Sequence, residues 1–218
     1  MTTVERTAAE PGSQTLSRGL SALALIGDAQ SPLMINDLAA GLGVNRSAAY
    51  RIVRTLEQHR FVQRQPGGEL ELGVRLAAFG QGVSRDLQSA ARPHLQAVAD
   101  ELEMTAFLVA SDGHDVVTLL SVEPQHAATF VAQRPGRRQP VGHGAPGRVI
   151  RSVLHPEEYP PARFETTHDE VIAGLSAIAV PLHVDQPASI AVLFATRPID
   201  AAAVARSLEN AATLISAG

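Results

Sequence analysis

The sequence predicts an α+β chain, with a winged helix-turn-helix domain first and a larger mixed α/β domain after it. Three observations carry this expectation. Residues 16–60 hold three helical patterns in close succession, followed by two short alternating segments about a Gly-Gly turn. From residue 105 onward, apolar strand-like runs alternate with helical segments. Charge is also unequally shared: residues 1–80 carry eight Arg against seven Asp and Glu, and the remainder carries ten against fifteen. Local positive charge in an acidic chain points to a patch for a polyanion.

Residues 1–15 read as a disordered tail, and residues 16–78 as the first domain. In SRGLSALALIGDA, Leu20, Leu23 and Ala24 form one apolar stripe, which stops at Gly27. INDLAAGLG is a short helix ending on Gly41 and Gly43, which allow a left-handed C-terminus. Met34 stands where Ser or Thr would cap it better, a loss of about 1 kcal/mol. The third helix, NRSAAYRIVRTLEQHR, has Asn45 as N-cap and buries Ala49, Ile52, Val53 and Leu56. Its other face carries Ser47, Tyr50, Arg51, Arg54 and Gln58. Between residues 46 and 64, Arg46, Arg51, Arg54, Arg60 and Arg64 are opposed only by Glu57. VQRQPGGELEL then reads as a hairpin with Leu70 and Leu72 inward and Glu69 and Glu71 outward. A helix of this kind fits the major groove of a DNA duplex, where arginine offers a bidentate fork to guanine. Arg64, near the tip of the hairpin, is placed to reach a phosphate or the minor groove.

In the second part, RLAAFGQGVSRDLQSAARPHLQAVADELEM predicts two helical stretches separated near Arg92-Pro93. TAFLVASDGHDVVTLLSVE is a hairpin about Asp112-Gly113, AATFVAQ a third strand, SAIAVPLHV and ASIAVLFAT two more, and a last helix starts at Asp200. Residues 142–147, GHGAPG, match G-x-G-x-x-G, and a helix through about Leu154 follows. The lead-in RPGRRQPV is not the buried apolar strand from which a dinucleotide-binding turn grows, and no acidic residue follows cleanly at the required distance. A small-molecule enzyme using Gly142–Gly147 as a nucleotide site is the alternative from another class.

The chain has no cysteine, which excludes disulfides and thiolate chemistry, and its basic residues are all arginine. Its eight histidines, His143, His168 and His183 among them, form no H-x-x-x-H or H-x-H pair, and there is no G-x-S-x-G elbow. No metal and no cofactor are expected. No apolar run approaches the ~20 residues that span a bilayer, so a cytoplasmic protein without membrane contact is expected.

The segments SRGLSALALIGDA, INDLAAGLGVNRSAAYRIVRTLEQHRFVQR and ELELGVRLAAFG resemble, without a gap from Leu16 to Gly80, the N-terminal domain of IclR-type bacterial transcriptional regulators. The likeness includes Leu72, Gly73, Arg75 and Leu76 after the wing. Farther on, EVIAGLSAIAVPL carries Glu170, Gly174, Ile178, Ala179 and Pro181 at the positions of that family's pattern.

The resemblance implies a linker helix at 79–91 and a GAF-like effector-binding domain at 92–218. It implies an effector-controlled regulator acting as a homodimer or homotetramer on a palindromic duplex, repressor or activator. Asn45, Arg46, Ser47, Tyr50 and Arg51 would read bases and phosphates, with Arg54 and Arg64 beside them. The start of the helix after GHGAPG would line the effector pocket through backbone N–H groups, with Gly147-Arg148 at the family's glycine-lysine pair. Phe130, His143, Gly144, Ala145, Pro146, Leu175, Ala177, Val192 and Phe194 are the pocket candidates. Two departures stand out. HPEEYPPARFETTHD replaces a longer excursion, which leaves one pocket wall missing or supplied by a partner chain. Val192 and Phe194 replace serines, which favours an aromatic or apolar effector, or a regulator with none.

Overall fold

The structure, a computed structural model, describes residues 12–29, 31–127 and 130–217. The chain divides into two compact units, Met1–Gly82 and Val83–Gly218. Of the expected tail, residues 1–11 lie outside the described residues, and the first helix begins within the remainder.

In the first unit, helix α1 (Gln14–Asp28) is capped by Ser13, whose Oγ accepts the Leu16 N–H at 3.3 Å. Its inward stripe differs from the expected one. Ala22 and Ile26 are buried with Leu23 and Leu25 packed beside them, while Leu20 is exposed. Ala24 is exposed as well. The run LSALALI is apolar on nearly every side, so its periodicity does not single out a face. Helix α2 (Ile35–Gly41) has no side-chain cap from Met34; Asp37 compensates by accepting the Met34 N–H at 3.0 Å. Helix α3 (Arg46–Gln58) starts at Asn45, whose Oδ1 accepts the Ala48 N–H at 2.9 Å, and buries Ala49, Val53 and Leu56.

Strands β1 (Val62–Arg64) and β2 (Leu70–Leu72) pair antiparallel, with Val62 opposite Leu72. Leu70 is buried as expected. Leu72 is not: it is 39% exposed and lies beside Gly27 of α1. Helix α4 (Arg75–Gly80) follows directly. Gly73 makes this turn possible, because a Cβ there would stand 2.2 Å from the Arg60 carbonyl oxygen. Arg75 secures it by donating to the His59 carbonyl at 3.1 Å and lying over the rings of Phe61 and Phe79.

The second unit is a six-stranded antiparallel sheet in the order β5-β4-β3-β8-β7-β6. Its strands are β3 (Thr105–Ser111), β4 (Asp115–Val122), β5 (Arg138–Pro140), β6 (Glu165–His168), β7 (Leu175–Leu182) and β8 (Ala188–Ala195). Helix α5 (Arg85–Leu102) and helix α7 (Ala201–Ser216) cover one face; helix α6 (Gly144–Leu154) covers the other.

Several expectations change here. α5 runs through Pro93 without a break, and the interruption falls at residues 81–84, so the expected linker segment 79–91 is not one helix. Gly80 ends α4 and Gly82 lies within that interruption, whereas packing of Ala91, Leu95, Val98 and Ala99 against the sheet holds α5 continuous despite proline's lost hydrogen bond. No strand forms at residues 130–134, and Ala128 and Thr129 lie outside the described residues. The edge strand is β5 instead, and β6 was not expected at all.

Two substitutions test this packing. Gly73→Ala should lower the stability of the first unit by about 1–3 kcal/mol through the backbone clash. Leu208→Ala, in the fully buried centre of α7, should cost the second unit about 2–5 kcal/mol. Chemical denaturation of the full chain, with separate probes for the two units, measures both.

Candidate functional site

On the first unit, Asn45, Arg46, Ser47, Tyr50, Arg51 and Arg54 are all exposed along one side of α3. The helix is amphipathic, so burying Ala49, Val53 and Leu56 turns this set outward. Asn45 holds the first turn twice, since its Oδ1 also accepts the Ser47 hydroxyl at 2.8 Å. Tyr50 organises the charges. The Arg46 and Arg64 guanidiniums lie 5.5 and 5.4 Å from its ring centre, and Arg46 donates to its hydroxyl at 3.3 Å. These contacts, the Arg46 hydrogen bond above all, hold the Tyr50 phenol below its ordinary pKa. Arg64 also pairs with Glu57 at 3.4 Å, which bends the wing residue back toward α3. Among the described residues, the guanidiniums of Arg51 and Arg54 have no side-chain partner. Arg60, which follows the helix, has a left-handed backbone with φ of 61°.

On the second unit, a cavity of about 40 Å³ lies between α6 and the sheet. Gly144, Ala145, Pro146, Leu175 and Ala177 line it, together with residues not anticipated: Phe107, Val109, Val116, Thr118, Gln133, Arg137, Gln139, Thr167, Val171, Ile172, Ser176 and Leu193. Gln133 donates to Thr118 at 3.1 Å, while its Oε1 is buried with no partner. The GHGAPG loop has a steric logic: Gly142 and Gly144 adopt positive φ, and a Cβ on Gly147 would meet the Pro140 carbonyl oxygen at 3.3 Å. The first N–H groups of α6 already have partners. Glu170 accepts from Gly144 at 3.0 Å and Thr167 accepts from Ala145 at 3.3 Å. Arg148 pairs with the same Glu170 carboxylate, and His143 Nδ1 lies 3.5 Å from it.

Val192 and Phe194 are not on the cavity. Both point to the opposite face of β8, into the core beneath α5 and α7; Leu193, between them, lines the cavity. Alternation along a strand sends neighbours to opposite faces, so a one-residue error in register moved both candidates to the wrong side. Phe130 and His143 do not line the cavity either: Phe130 is 44% exposed, and His143 stands just ahead of α6. β6 and the turn after it supply Thr167, Val171 and Ile172, while the shortened segment before β6 runs toward α7, where Arg163 pairs with Glu209 at 2.6 Å. This pairing lowers the Glu209 pKa and raises that of Arg163. Only parity along β8 was a usable signal for Leu193; Gln133 and Thr118 had none.

The loop does not form a nucleotide crossover, because β5 pairs antiparallel with β4 and every other strand pair in the sheet is antiparallel too. Among the described residues, no group of three or more His, Asp and Glu is placed to hold a metal, and no helix is long and apolar enough to cross a membrane.

The IclR helix-turn-helix domain matches residues 15–66. The HTH-type transcriptional regulator XynR of Escherichia coli K12 is 29% identical over 144 residues, which is 65% of this chain and 57% of that protein. The chain thus spans little more than half the length of this relative. A crystal structure of an IclR transcriptional regulator from Alicyclobacillus acidocaldarius superposes with a TM-score of 0.80 at 24% identity, covering 95% of this chain and 99% of that one. An IclR homolog of Microbacterium hydrocarbonoxydans, solved in complex with 4-hydroxybenzoate, gives 0.73 at 18% identity and covers 93% and 98%. The two structures establish the fold. The helix-turn-helix match marks residues 15–66 as similar to the IclR DNA-binding domain.

Proposed function

We propose that the protein is a sequence-reading DNA-binding transcriptional regulator whose C-terminal unit senses a small molecule. The observation that carries the first half is the outward row of Asn45, Arg46, Ser47, Tyr50, Arg51 and Arg54 on α3, with Arg64 beside it. Such a row enters a major groove with its N-terminal end toward base edges, and its arginines neutralise phosphates. Tyr50 keeps Arg46 and Arg64 in place before DNA arrives, so less side-chain freedom is lost on binding. A homodimer or homotetramer matches a palindromic operator, one recognition helix to each half-site.

Support for the second half comes from the cavity under α6, whose wall is mostly apolar with a few polar groups. A protein of the same fold was solved in complex with 4-hydroxybenzoate. A ligand acts here by binding one arrangement of the chain better than another. A second reading, a regulator without effector, is favoured by the volume itself. About 40 Å³ holds on the order of three waters, far short of the ~300 Å³ of a typical ligand pocket.

Arg51→Ala should weaken binding to a genomic operator and flatten the dependence of log Kd on log salt by about one unit, measured by fluorescence anisotropy. Unchanged affinity and slope would remove α3 from the interface. Tyr50→Phe should retain most of the affinity, because the ring that both arginines cover is kept, and Tyr50→Ala should lose more; equal losses would deny the ring its ordering role. In a thermal-shift panel of aromatic and aliphatic acids, at least one ligand should raise the melting temperature of the second unit. Leu193→Ser should alter that ligand's shift. Phe194→Ser should instead lower the melting temperature without ligand, and a flat panel would favour the effector-free reading.

A further inference from the structure

We propose that Glu170 is a built-in competitor for the anionic end of the ligand, and that the turn carrying it, residues 169–174, is the lid of the cavity. The inference rests on the sensing role assigned above to the second unit. The Glu170 carboxylate spans the first turn of α6, with Oε1 on the Gly144 N–H at 3.0 Å and Oε2 on the Arg148 guanidinium. A free carboxylate would seek this set of donors, since a helix start offers unpaired N–H groups and partial positive charge. The chain fills the position itself.

The turn is built to move as a unit. Asp169 and Gly174 both have positive φ, at 56° and 80°, and they are tied by the Gly174 N–H donating to Asp169 Oδ1 at 2.7 Å. Between these pinned ends, Val171 and Ile172 roof the cavity yet remain 36% and 40% exposed. Few contacts therefore oppose their departure.

An independent observation points to a ligand beneath the roof: in the cavity wall Gln133 Oε1 is buried and has no partner. A buried acceptor left unpaired is costly, and a ligand donor would remove that cost. Withdrawal of Glu170 would free the Gly144 N–H and Arg148 together while lifting Val171 and Ile172. The small volume of the cavity then describes the latched state. A ligand carboxylate replaces the bonds that Glu170 gives up; an uncharged isostere does not. The freed donors favour acids over their amides, and the latch weakens every ligand that needs the open cavity, because only molecules with the latch open can bind.

The test compares the full-length wild type with Glu170→Gln and Arg148→Gln, using hydrogen exchange without ligand and calorimetric titration with 4-hydroxybenzoate and 4-hydroxybenzamide. Both variants should speed exchange at the Gly144 amide and across residues 171–173. Glu170→Gln should tighten the acid about tenfold, as expected for a latch open about a tenth of the time, and keep the preference for the acid over the amide. Arg148→Gln, which loses the cation as well as the latch, should not tighten the acid. Unchanged exchange in both variants overturns the proposal, as does faster exchange with no gain for the acid in Glu170→Gln. Failure of the sensing role itself looks different: no acid of the thermal-shift panel would stabilise wild type or variant, while the exchange difference at Gly144 persisted.

Discussion

A sheet clothed on both faces constrains nearly everything in the second unit. Strands β3, β7 and β8 have no solvent side, so each residue must suit either the two-helix layer of α5 and α7 or the single helix α6. The first layer receives bulk: Leu108, Ile178, Val180, Ile190, Val192 and Phe194 meet Leu95 and Leu208. The second receives Phe107, Val109 and Val116 from β3 and β4 but only Ala177, Ala179 and Ala191 from β7 and β8, set against Ala145 and the glycines that open α6. Close-packed interiors tolerate few voids, so space appears only where such small side chains are not fully matched from across the gap. The cavity is a consequence of this unequal division of volume.

The start of α6 gains its importance from the same arrangement. A helix that begins over a sheet points unpaired N–H groups at whatever lies next to its first turn, and burying them without partners costs free energy. Here Thr167 and Glu170, from strand β6 and the turn after it, accept them. The glycines resembling a phosphate-binding signature are needed for backbone clearance and handedness, and their presence says little about which anion sits there. In the first unit the analogous economy is Tyr50, one ring serving two guanidiniums from different elements.

The first unit was legible in its sequence because its signals are local. Asn45 announces a cap, Ala49, Val53 and Leu56 announce a face, and a Gly-Gly pair announces a hairpin; the structure has all three. The faults lie where local signals are ambiguous, as in the uniformly apolar α1, or where distant packing overrides propensity, as at Pro93. The cavity was half legible. Gly144, Ala145, Pro146, Leu175 and Ala177 line it because α6 and β7 are long elements with firm phase. Val192 and Phe194 were misplaced by one residue of register, and β6 was hidden in a proline-rich stretch whose strand character depends on pairing with β7. Partnership of this kind is non-local and leaves no mark in the segment itself.

Strand β4 shows how far such hidden geometry reaches. Val116, Thr118, Leu120 and Val122 are buried at every second position, as if all faced one way. They do not. The pairing with β3 steps from Leu120 opposite Leu108 to Thr118 opposite Val109, leaving Leu119 as an extra residue. Beyond that step Val116 and Thr118 face the cavity, while Leu120 and Val122 face α5 and α7. Position 119 is thus a punctuation mark counted by length: Leu119 packs beside the core, and removing the residue would exchange inside for outside along half the strand and take Thr118 away from Gln133.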